Sequence, residues 1–161
     1  MKQFILIDHC KCTGCDMCGM ACSFSKTNVF NLASSRIKII RREESGLTMP
    51  MMCQHCEEPV CVACCPLEAM SKDEQTGLVD INRQTCNNCK ICRMVCPFGG
   101  PSLEPIAGEV VICDHCGGDP ACVNICPTGA LQYVPSYKHN TIGRRKAMGE
   151  IRKLIVALSR S

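Results

Sequence analysis

The sequence has few of the side chains that usually fill a protein core. Of its 161 residues, four are phenylalanine, two are tyrosine and none is tryptophan. A chain of this length normally buries a sizeable core, as one domain or as two small ones. Because bulky aromatic side chains supply much of such a core, something else must fill part of the interior.

Long apolar runs are also missing. Near the N-terminus the stretch from Phe4 to Ile7 ends at Asp8, which is too short for a signal-peptide core, and neither a twin arginine nor a small-residue cleavage site accompanies it. The longest uncharged apolar run elsewhere, Leu154 to Leu158, excludes a membrane span. We therefore expect a cytoplasmic protein, in a compartment that keeps thiols reduced.

Cysteine, by contrast, is abundant, with 18 residues. In a reducing compartment this content favours metal ligation over a disulfide scaffold. Sixteen of the cysteines form four motifs, each ending in C-x3-C: Cys12, Cys15, Cys18 and Cys22; Cys53, Cys56, Cys61 and Cys65; Cys86, Cys89, Cys92 and Cys96; Cys113, Cys116, Cys122 and Cys126. Proline follows the last cysteine of the second, third and fourth motifs.

The spacing C-x2-C-x2-C-x3-C-P, complete in the third motif, is typical of bacterial ferredoxins. Three closely spaced thiolates can hold three iron atoms of a cubane cluster, while the fourth cysteine ligates the other cluster of a pair. Four motifs therefore predict two pairs of motifs and four [4Fe–4S] clusters. Zinc, the alternative metal, needs two C-x2-C pairs and has no use for a third cysteine in the same run.

An internal repeat relates the motifs to one another. Motifs one and three (CTGCDMCGMAC, CNNCKICRMVC) resemble each other, as do motifs two and four (CQHCEEPVCVACCP, CDHCGGDPACVNICP). The repeat does not fix which motifs share clusters. Motif one with two and three with four is one arrangement, and motifs two and three nested between one and four is the other.

Four such motifs, with widened middle gaps in the second and fourth, resemble the electron-transfer subunits of molybdenum and tungsten oxidoreductases, such as dimethyl sulfoxide reductase, formate dehydrogenase and nitrate reductase. The resemblance covers roughly residues 1–135. Because the chain is short, it looks most like the small iron–sulfur subunit of tungsten-containing aldehyde oxidoreductase. The resemblance implies an α+β fold of two pseudo-symmetric bacterial-ferredoxin-like modules, nested, with a C-terminal amphipathic helix.

The resemblance also implies the nested pairing and its ligands. Cluster 1 would be held by Cys12, Cys15, Cys18 and Cys126, cluster 2 by Cys22, Cys113, Cys116 and Cys122, cluster 3 by Cys53, Cys56, Cys61 and Cys96, and cluster 4 by Cys65, Cys86, Cys89 and Cys92. The corresponding segments are an outer module (1–22 with 98–137), a covering hairpin (23–52), an inner module (53–97) and a basic C-terminal helix (138–161).

Local patterns are consistent with ferredoxin-like modules. Short strands are predicted at Phe4–Ile7, Leu78–Ile81, Val110–Ile112 and Leu131–Val134, and single helical turns between the third and fourth cysteines of the motifs. The segment from Arg36 to Met52, with a turn at Gly46, predicts a hairpin that covers the clusters or offers an edge to a partner.

Four residues near the motifs have no assigned ligand role. We predict that Cys64 is buried and serves packing, and that Cys10 is not a ligand because the spacing from Cys12 fits better. His55 and His115 each precede the second cysteine of a motif. Since every motif is complete, we predict that they hydrogen-bond near a cluster or shape the loop rather than ligate iron.

The C-terminal segment differs in charge from the rest. The net charge is +3, but seven basic residues and one acidic residue from Lys138 onward give +6, which leaves −3 elsewhere. Residues 142–159 predict an amphipathic helix that folds back on the chain, docks on a partner or another copy, or binds an anionic membrane surface. Nucleic acid is disfavoured because no aromatic residues lie among the basic ones.

No motif for substrate chemistry is present: there is no P-loop, dinucleotide fingerprint or metalloprotease motif. We expect a non-catalytic subunit that relays electrons between a catalytic subunit and a redox acceptor. The resemblance implies a tungsten-pterin aldehyde oxidoreductase as partner and a flavin- and NAD-linked subunit beyond it. Entry and exit clusters at opposite ends would also let copies associate head to tail and extend the relay. Hydrogenase, carbon monoxide dehydrogenase, formate dehydrogenase and benzoyl-CoA reductase are alternative partners, and a zinc-bound interaction module is the rival of another class.

Overall fold

The computed structural model describes residues 2–136, which form short antiparallel strand pairs and a few helices, as an α+β class predicts. The strands are β1 (Gln3–Ile7), β2 (Lys38–Arg42), β3 (Leu47–Met51), β4 (Met70–Lys72), β5 (Val79–Ile81), β6 (Ser102–Leu103), β7 (Val110–Val111) and β8 (Leu131–Pro135). The α-helices are α1 (Met17–Thr27), α2 (Val60–Ala63), α3 (Ile91–Val95) and α4 (Ala121–Asn124). Short 3-10 helices span His9–Lys11, Leu32–Ser34, Glu43–Ser45 and His115–Gly118.

The first and last strands of the described residues pair with each other. In the antiparallel pair β1–β8, Gln3 lies opposite Pro135 and Ile7 opposite Leu131, and the backbone N–H of Asp8 extends the pairing by donating to a carbonyl oxygen 2.7 Å away. Helices α1 and α4 pack together beside this sheet. The first and fourth motifs, which are far apart in sequence, therefore lie side by side.

Two similar hairpins follow the second and third motifs. Asp73 opens the turn between β4 and β5, and its Oδ1 accepts from the backbone N–H groups of residues 75 and 76 at 2.9 and 2.6 Å. Glu104 does the same between β6 and β7, where its Oε2 accepts from residues 106 and 107 at 2.9 and 2.6 Å. The second strand of each hairpin, β5 and β7, was predicted from the sequence. Strand β6, only two residues long, was not.

Helix α1 is longer than the sequence predicts. Instead of a single turn it runs for 11 residues and ends at Thr27. The capping residue Asn28 follows, and its backbone N–H donates to the Phe24 carbonyl oxygen. The other three motifs continue into proline, which cannot extend a helix, and α2, α3 and α4 end before Pro66, Pro97 and Pro127. Ser23 stands at this position in the first motif, so the helix continues.

The long gap between the first two motifs contains the predicted hairpin, β2–β3. It lies over the loop of the first motif: the Arg41 guanidinium donates to the Gly14 carbonyl oxygen at 2.5 Å and forms an ion pair with Asp16. At the base of the hairpin, Ile37 and Met52 are almost fully buried. The hairpin thus covers one end of the cysteine-bearing core.

Cysteine replaces aromatic residues in this core. The main cluster of buried residues combines aliphatic side chains with six cysteines, namely Cys18, Cys22, Cys53, Cys61, Cys113 and Cys122. Within residues 2–136, no helix is long and apolar enough to cross a membrane. The predicted helix at 142–159 lies outside the described residues.

Gly100 offers a test of how tightly the loops pack. A Cβ at Gly100 would lie 2.9 Å from the Cα of Cys53, which is backbone and cannot move freely. We expect Gly100→Ala to lower the free energy of unfolding by about 1–3 kcal/mol, as overpacking does, measured by thermal denaturation under anaerobic conditions.

Gly19→Ala is the matched control. Its Cβ would meet the end of the half-exposed Leu32 side chain, which can rotate away, and alanine gains up to about 1 kcal/mol of helix propensity over glycine. Equal loss of stability in both variants would contradict the close approach of Gly100 to Cys53.

Candidate metal centres

All four motifs bend the backbone at the same place. The residue directly before the second cysteine has a left-handed backbone in each, namely Gly14 (φ 72°), His55 (44°), Asn88 (57°) and His115 (51°). Glycine adopts this conformation freely, whereas other residues do so at a cost. The shared bend indicates that the four motifs are copies of one loop, in agreement with the sequence repeat.

We call Cys12, Cys15, Cys18 and Cys126 thiol set 1. This set joins the two ends of the described residues. Cys18 lies near Cys12 and Cys15 of its own motif and near Cys126 of the fourth motif. Burial is the main reason that the pKa of Cys18 rises to about 11, and the negative charges of these three neighbours add to the rise. The nested pairing assigns these four residues to one cluster.

Thiol set 2 consists of Cys22, Cys113, Cys116 and Cys122, and it is the most buried of the four sets. Cys113 and Cys122 lie near each other and near Cys22 and Cys116. Burial, reinforced by the negative charge of Cys22, raises the pKa of Cys113 to about 12, and burial also raises that of Cys122. Cys22 reaches this set from helix α1, since it follows Cys18 by one turn.

Thiol set 3 combines the second and third motifs. Cys53 and Cys61 lie near each other and near Cys96, and Cys56 also lies near Cys96. Burial raises the pKa of Cys53, Cys56 and Cys61. The fourth cysteine of one motif thus again meets the first three of another.

Thiol set 4 is the reciprocal of set 3. Cys92 lies near Cys86 and Cys89 of its own motif and near Cys65 of the second. Burial raises the pKa of Cys92, while Cys89 is exposed. In set 4, as in set 3, cysteines of the second and third motifs therefore lie close together.

The four sets form a row. Sets 1 and 2 meet where Cys122 lies near Cys18, and sets 2 and 3 meet where Cys53 lies near Cys113. Sets 3 and 4 are joined by the packing of α2 against α3. Sets 1 and 4, at the two ends of the row, each include an exposed cysteine, Cys15 and Cys89 respectively.

The thiol sets fit iron–sulfur clusters. All eighteen cysteines are free thiols. Burial raises the pKa of Cys18, Cys53 and Cys113, and so opposes their ionisation unless a cation lies beside them. The four cysteines of set 4 line one cavity with Met70, Ile81 and Val110, and those of set 2 line another with Ile37 and Met52. Four thiols around an apolar cavity are a donor set for a [4Fe–4S] cluster, and the sixteen thiols fit four such clusters.

Residues 44–135 match the family described as "4Fe-4S dicluster domain". The protein belongs to this family. It is an iron–sulfur electron-transfer subunit of an oxidoreductase complex and not its catalytic subunit. The relationship to the dimethyl sulfoxide reductase type, which the motif spacing predicted, is confirmed.

Three relatives illustrate the range of the family. The polyferredoxin-like subunit of aliphatic sulfonate oxidoreductase from Pyrococcus furiosus is 40% identical over 78% of this chain and 72% of its own length. A subunit of anaerobic dimethyl sulfoxide reductase from Escherichia coli is 33% identical over 80% of this chain and 71% of its own length. The beta subunit of NADH-dependent phenylglyoxylate dehydrogenase from Aromatoleum evansii is 37% identical over 86% of this chain, which spans only 32% of that subunit.

The fold also has a solved counterpart. The BamBC active-site complex of benzoyl coenzyme A reductase, as isolated, contains a subunit that matches with a TM-score of 0.51 and 24% identity, covering 99% of this chain and 97% of that subunit. At this identity the likeness concerns the fold alone.

Backbone N–H groups approach several sulfur atoms in this member of the dicluster family. The Arg36 N–H lies 3.4 Å from Cys22 Sγ, and the Gly100 N–H lies 3.3 Å from Cys96 Sγ. Burial alone would raise the pKa of Cys65 and Cys126. Backbone N–H groups of residues 67–70 lower the pKa of Cys65, and those of residues 128, 130 and 131, with the Thr128 hydroxyl, lower the pKa of Cys126. Such donors stabilise the thiolate that binds iron.

An ion-pair cluster ties the covering segment to the fourth motif. Asp114 lies 2.8 Å from Lys26 Nζ and 3.1 Å from Arg36, and its Oδ1 accepts from the backbone N–H of Cys116 at 3.0 Å. Partial burial opposes ionisation, but the Lys26 ammonium and the Cys116 N–H hold the pKa of Asp114 below its usual value. Sequence reasoning did not identify these residues, because the partners lie some 80 positions apart.

The two cysteines outside the motifs are both exposed. Cys10 has its Sγ 3.5 Å from His9 Nε2. The prediction that Cys64 is buried is wrong: it is exposed, because it directly precedes Cys65 at the end of α2 and projects away from the thiol sets. His55 and His115, by contrast, are almost fully buried at the centre of the molecule.

The adjacent cysteines 64 and 65 provide a matched pair for testing the ligand assignment. We expect Cys65→Ser to reduce iron and acid-labile sulfide by the content of one cluster, because serine is a poor ligand in place of a thiolate. Cys64→Ser should retain the full content. Equal iron loss in the two variants, measured on anaerobically purified protein, would contradict the placement of Cys65 in set 4.

Proposed function

We propose that this chain carries four [4Fe–4S] clusters and relays single electrons along them between a catalytic subunit and a redox acceptor. The proposed ligands are the four thiol sets: Cys12, Cys15, Cys18 and Cys126; Cys22, Cys113, Cys116 and Cys122; Cys53, Cys56, Cys61 and Cys96; Cys65, Cys86, Cys89 and Cys92. Sets 1 and 2 belong to the outer module (1–22 with 98–137) and sets 3 and 4 to the inner module (53–97).

The arrangement of the thiol sets in a row carries this proposal. Neighbouring sets approach each other at Cys18 with Cys122 and at Cys53 with Cys113. When bound, each cluster supplies a site that accepts and releases one electron. An unbroken row of such sites is what an electron relay needs, whereas an interaction module needs no such order.

The exposure of the residues differs along this row. In the middle, the set 2 cavity is lined by Ile37 and Met52, which are nearly fully buried, and Val79, equally buried, contacts His55. At the ends, exposed Cys15 and Cys89 leave sets 1 and 4 accessible from solvent. This supports entry of electrons at one end and exit at the other. The direction is set by the partners.

The partner that we propose is a tungsten-pterin aldehyde oxidoreductase subunit, with a flavin- and NAD-linked subunit as acceptor. The named relatives belong to complexes that oxidise or reduce small organic molecules, including an aliphatic sulfonate oxidoreductase and an NADH-dependent phenylglyoxylate dehydrogenase. These names support the class of partner and an NAD-linked acceptor. The cytoplasmic location, the C-terminal helix at 142–159 and head-to-tail association remain predictions.

Metal analysis tests the cofactor part of the proposal. Protein purified anaerobically from its native host should be brown and contain iron and acid-labile sulfide in equal amounts, with about four irons per cluster. Its visible absorbance should bleach on reduction by dithionite. Colourless protein that contains zinc instead would support the zinc-bound module and overturn the relay.

Co-purification tests the partner. We expect an affinity-tagged chain, isolated anaerobically from the host, to bring down a subunit that contains tungsten and a pterin, and we expect aldehydes to reduce the iron–sulfur absorbance of the complex. A molybdenum or nickel subunit, with bleaching by formate, hydrogen or carbon monoxide instead, would contradict the aldehyde partner but leave the relay standing. A Cys64→Ser variant, with its exposed thiol removed, controls for capture through a disulfide.

A further inference from the structure

Two buried histidines meet at the junction between thiol sets 2 and 3. The ring centroids of His55 and His115 are 4.6 Å apart and the rings are nearly perpendicular, at 86°. Their residues are only 3% and 2% exposed. Each occupies the same position in its motif, directly before the second cysteine, so the repeat brings two equivalent side chains into edge-to-face contact.

The histidine loops carry the two cysteines that connect the sets. Cys53 and Cys113, which lie near each other, each precede a histidine by two residues. Nδ1 of His55 lies 3.7 Å from Cys53 Sγ. One nitrogen of each ring and the sulfur of Cys113 all lie within 4.8 Å of one another. The rings therefore occupy the narrow space beside the Cys53–Cys113 approach.

Each ring is fixed by a different part of the fold. The Val79 backbone N–H, on strand β5, donates to His55 Nδ1 at 2.9 Å. His115 packs edge-on against Tyr133 of β8, with centroids 5.5 Å apart, and against Phe4 of β1 at 6.2 Å. The contact between the rings is therefore also a contact between the β4–β5 hairpin and the β1–β8 sheet.

The backbone conformation of the two histidines indicates that their side chains have a role of their own. Both histidines have left-handed φ angles, 44° and 51°, where Gly14 stands in the first motif. Glycine would adopt this bend without strain. A strained residue in each of two loops, with the rings touching, points to a role for the imidazole rather than for the bend alone.

Metal ligation by the histidines is the competing explanation, since His55, Cys113 and His115 are close enough to share an ion. Two observations argue against it. Cys113 already completes thiol set 2, and Nδ1 of His55, the nitrogen nearest Cys53, accepts a backbone N–H and so has its lone pair engaged.

We propose that His55 and His115 are positioning residues, whose ring contact holds the Cys53 and Cys113 loops, and with them the two middle clusters, at a fixed separation. This inference rests on the proposed function, because it assigns the separation of clusters that thiol sets 2 and 3 would hold. It adds a role for two side chains that ligate no iron themselves.

Magnetic interaction between the clusters measures the separation directly. In holoprotein reduced by dithionite, neighbouring paramagnetic clusters couple, and their dipolar coupling falls with the inverse cube of the distance. We expect His115→Ala and His55→Gln to weaken the coupling assigned to the middle pair at unchanged iron content. His55→Gln retains an acceptor for the Val79 N–H but loses the ring. His115→Phe, which retains a ring against His55 and Tyr133, should preserve the coupling.

Phe30→Ala is the matched control, because it removes an aromatic ring that is 62% exposed and stacks on Phe24. Full iron content with unchanged coupling in both His115→Ala and His55→Gln would overturn the positioning role. So would loss of coupling in His115→Phe at full iron content. If His115→Ala loses iron, its coupling is not comparable with that of the unaltered protein, and the proposal is then tested by His55→Gln and His115→Phe. Absence of iron from the unaltered protein would instead refute the proposed function.

Discussion

The structure depends on one electrostatic constraint: thiols that must ionise in order to bind metal are buried in the core. Burial raises the pKa of Cys18 to about 11 and that of Cys113 to about 12, so these groups resist ionisation without a neighbouring cation. Iron supplies that cation, and the energy of binding then becomes folding energy. Because cysteines occupy the positions that aliphatic and aromatic residues hold in other cores, cofactor binding and folding are coupled in this protein.

Each thiol set combines cysteines of two motifs, so the buried thiols also require distant parts of the chain to meet. In each thiol set, the fourth cysteine of one motif lies near cysteines of another motif. For the outer motifs this requires the two ends of the described residues to meet, which β1 and β8 do by pairing. For the inner motifs, the chain has to reverse its direction only once between them, and the β4–β5 hairpin makes this reversal. The sheets have only two strands each, and they bring the cysteine-bearing loops together.

Much of this could be predicted from the sequence, because cluster geometry restricts cysteine spacing more tightly than packing restricts apolar residues. The motif spacing predicted the cofactor and the family, and the apolar runs predicted strands such as β1 and β8. The length of α1 was missed, although the absence of proline after Cys22 signals it. The exposure of Cys64, the Asp114 ion pairs and the contact of His55 with His115 depend on long-range packing, which no local pattern encodes.

The scarcity of aromatic residues follows from the same close approach of loops. Gly100 leaves no room for a Cβ beside Cys53, whose Cα would be 2.9 Å away. Large rings between the motifs would separate the thiol sets, and the coupling of neighbouring sites weakens with distance. At the central junction, His55 and His115 lie beside the Cys53–Cys113 approach and pack against each other, and the rings of Tyr133 and Phe4 pack against His115. A core of cysteine and aliphatic side chains, with few rings, therefore favours an unbroken row, and the buried histidines brace its middle.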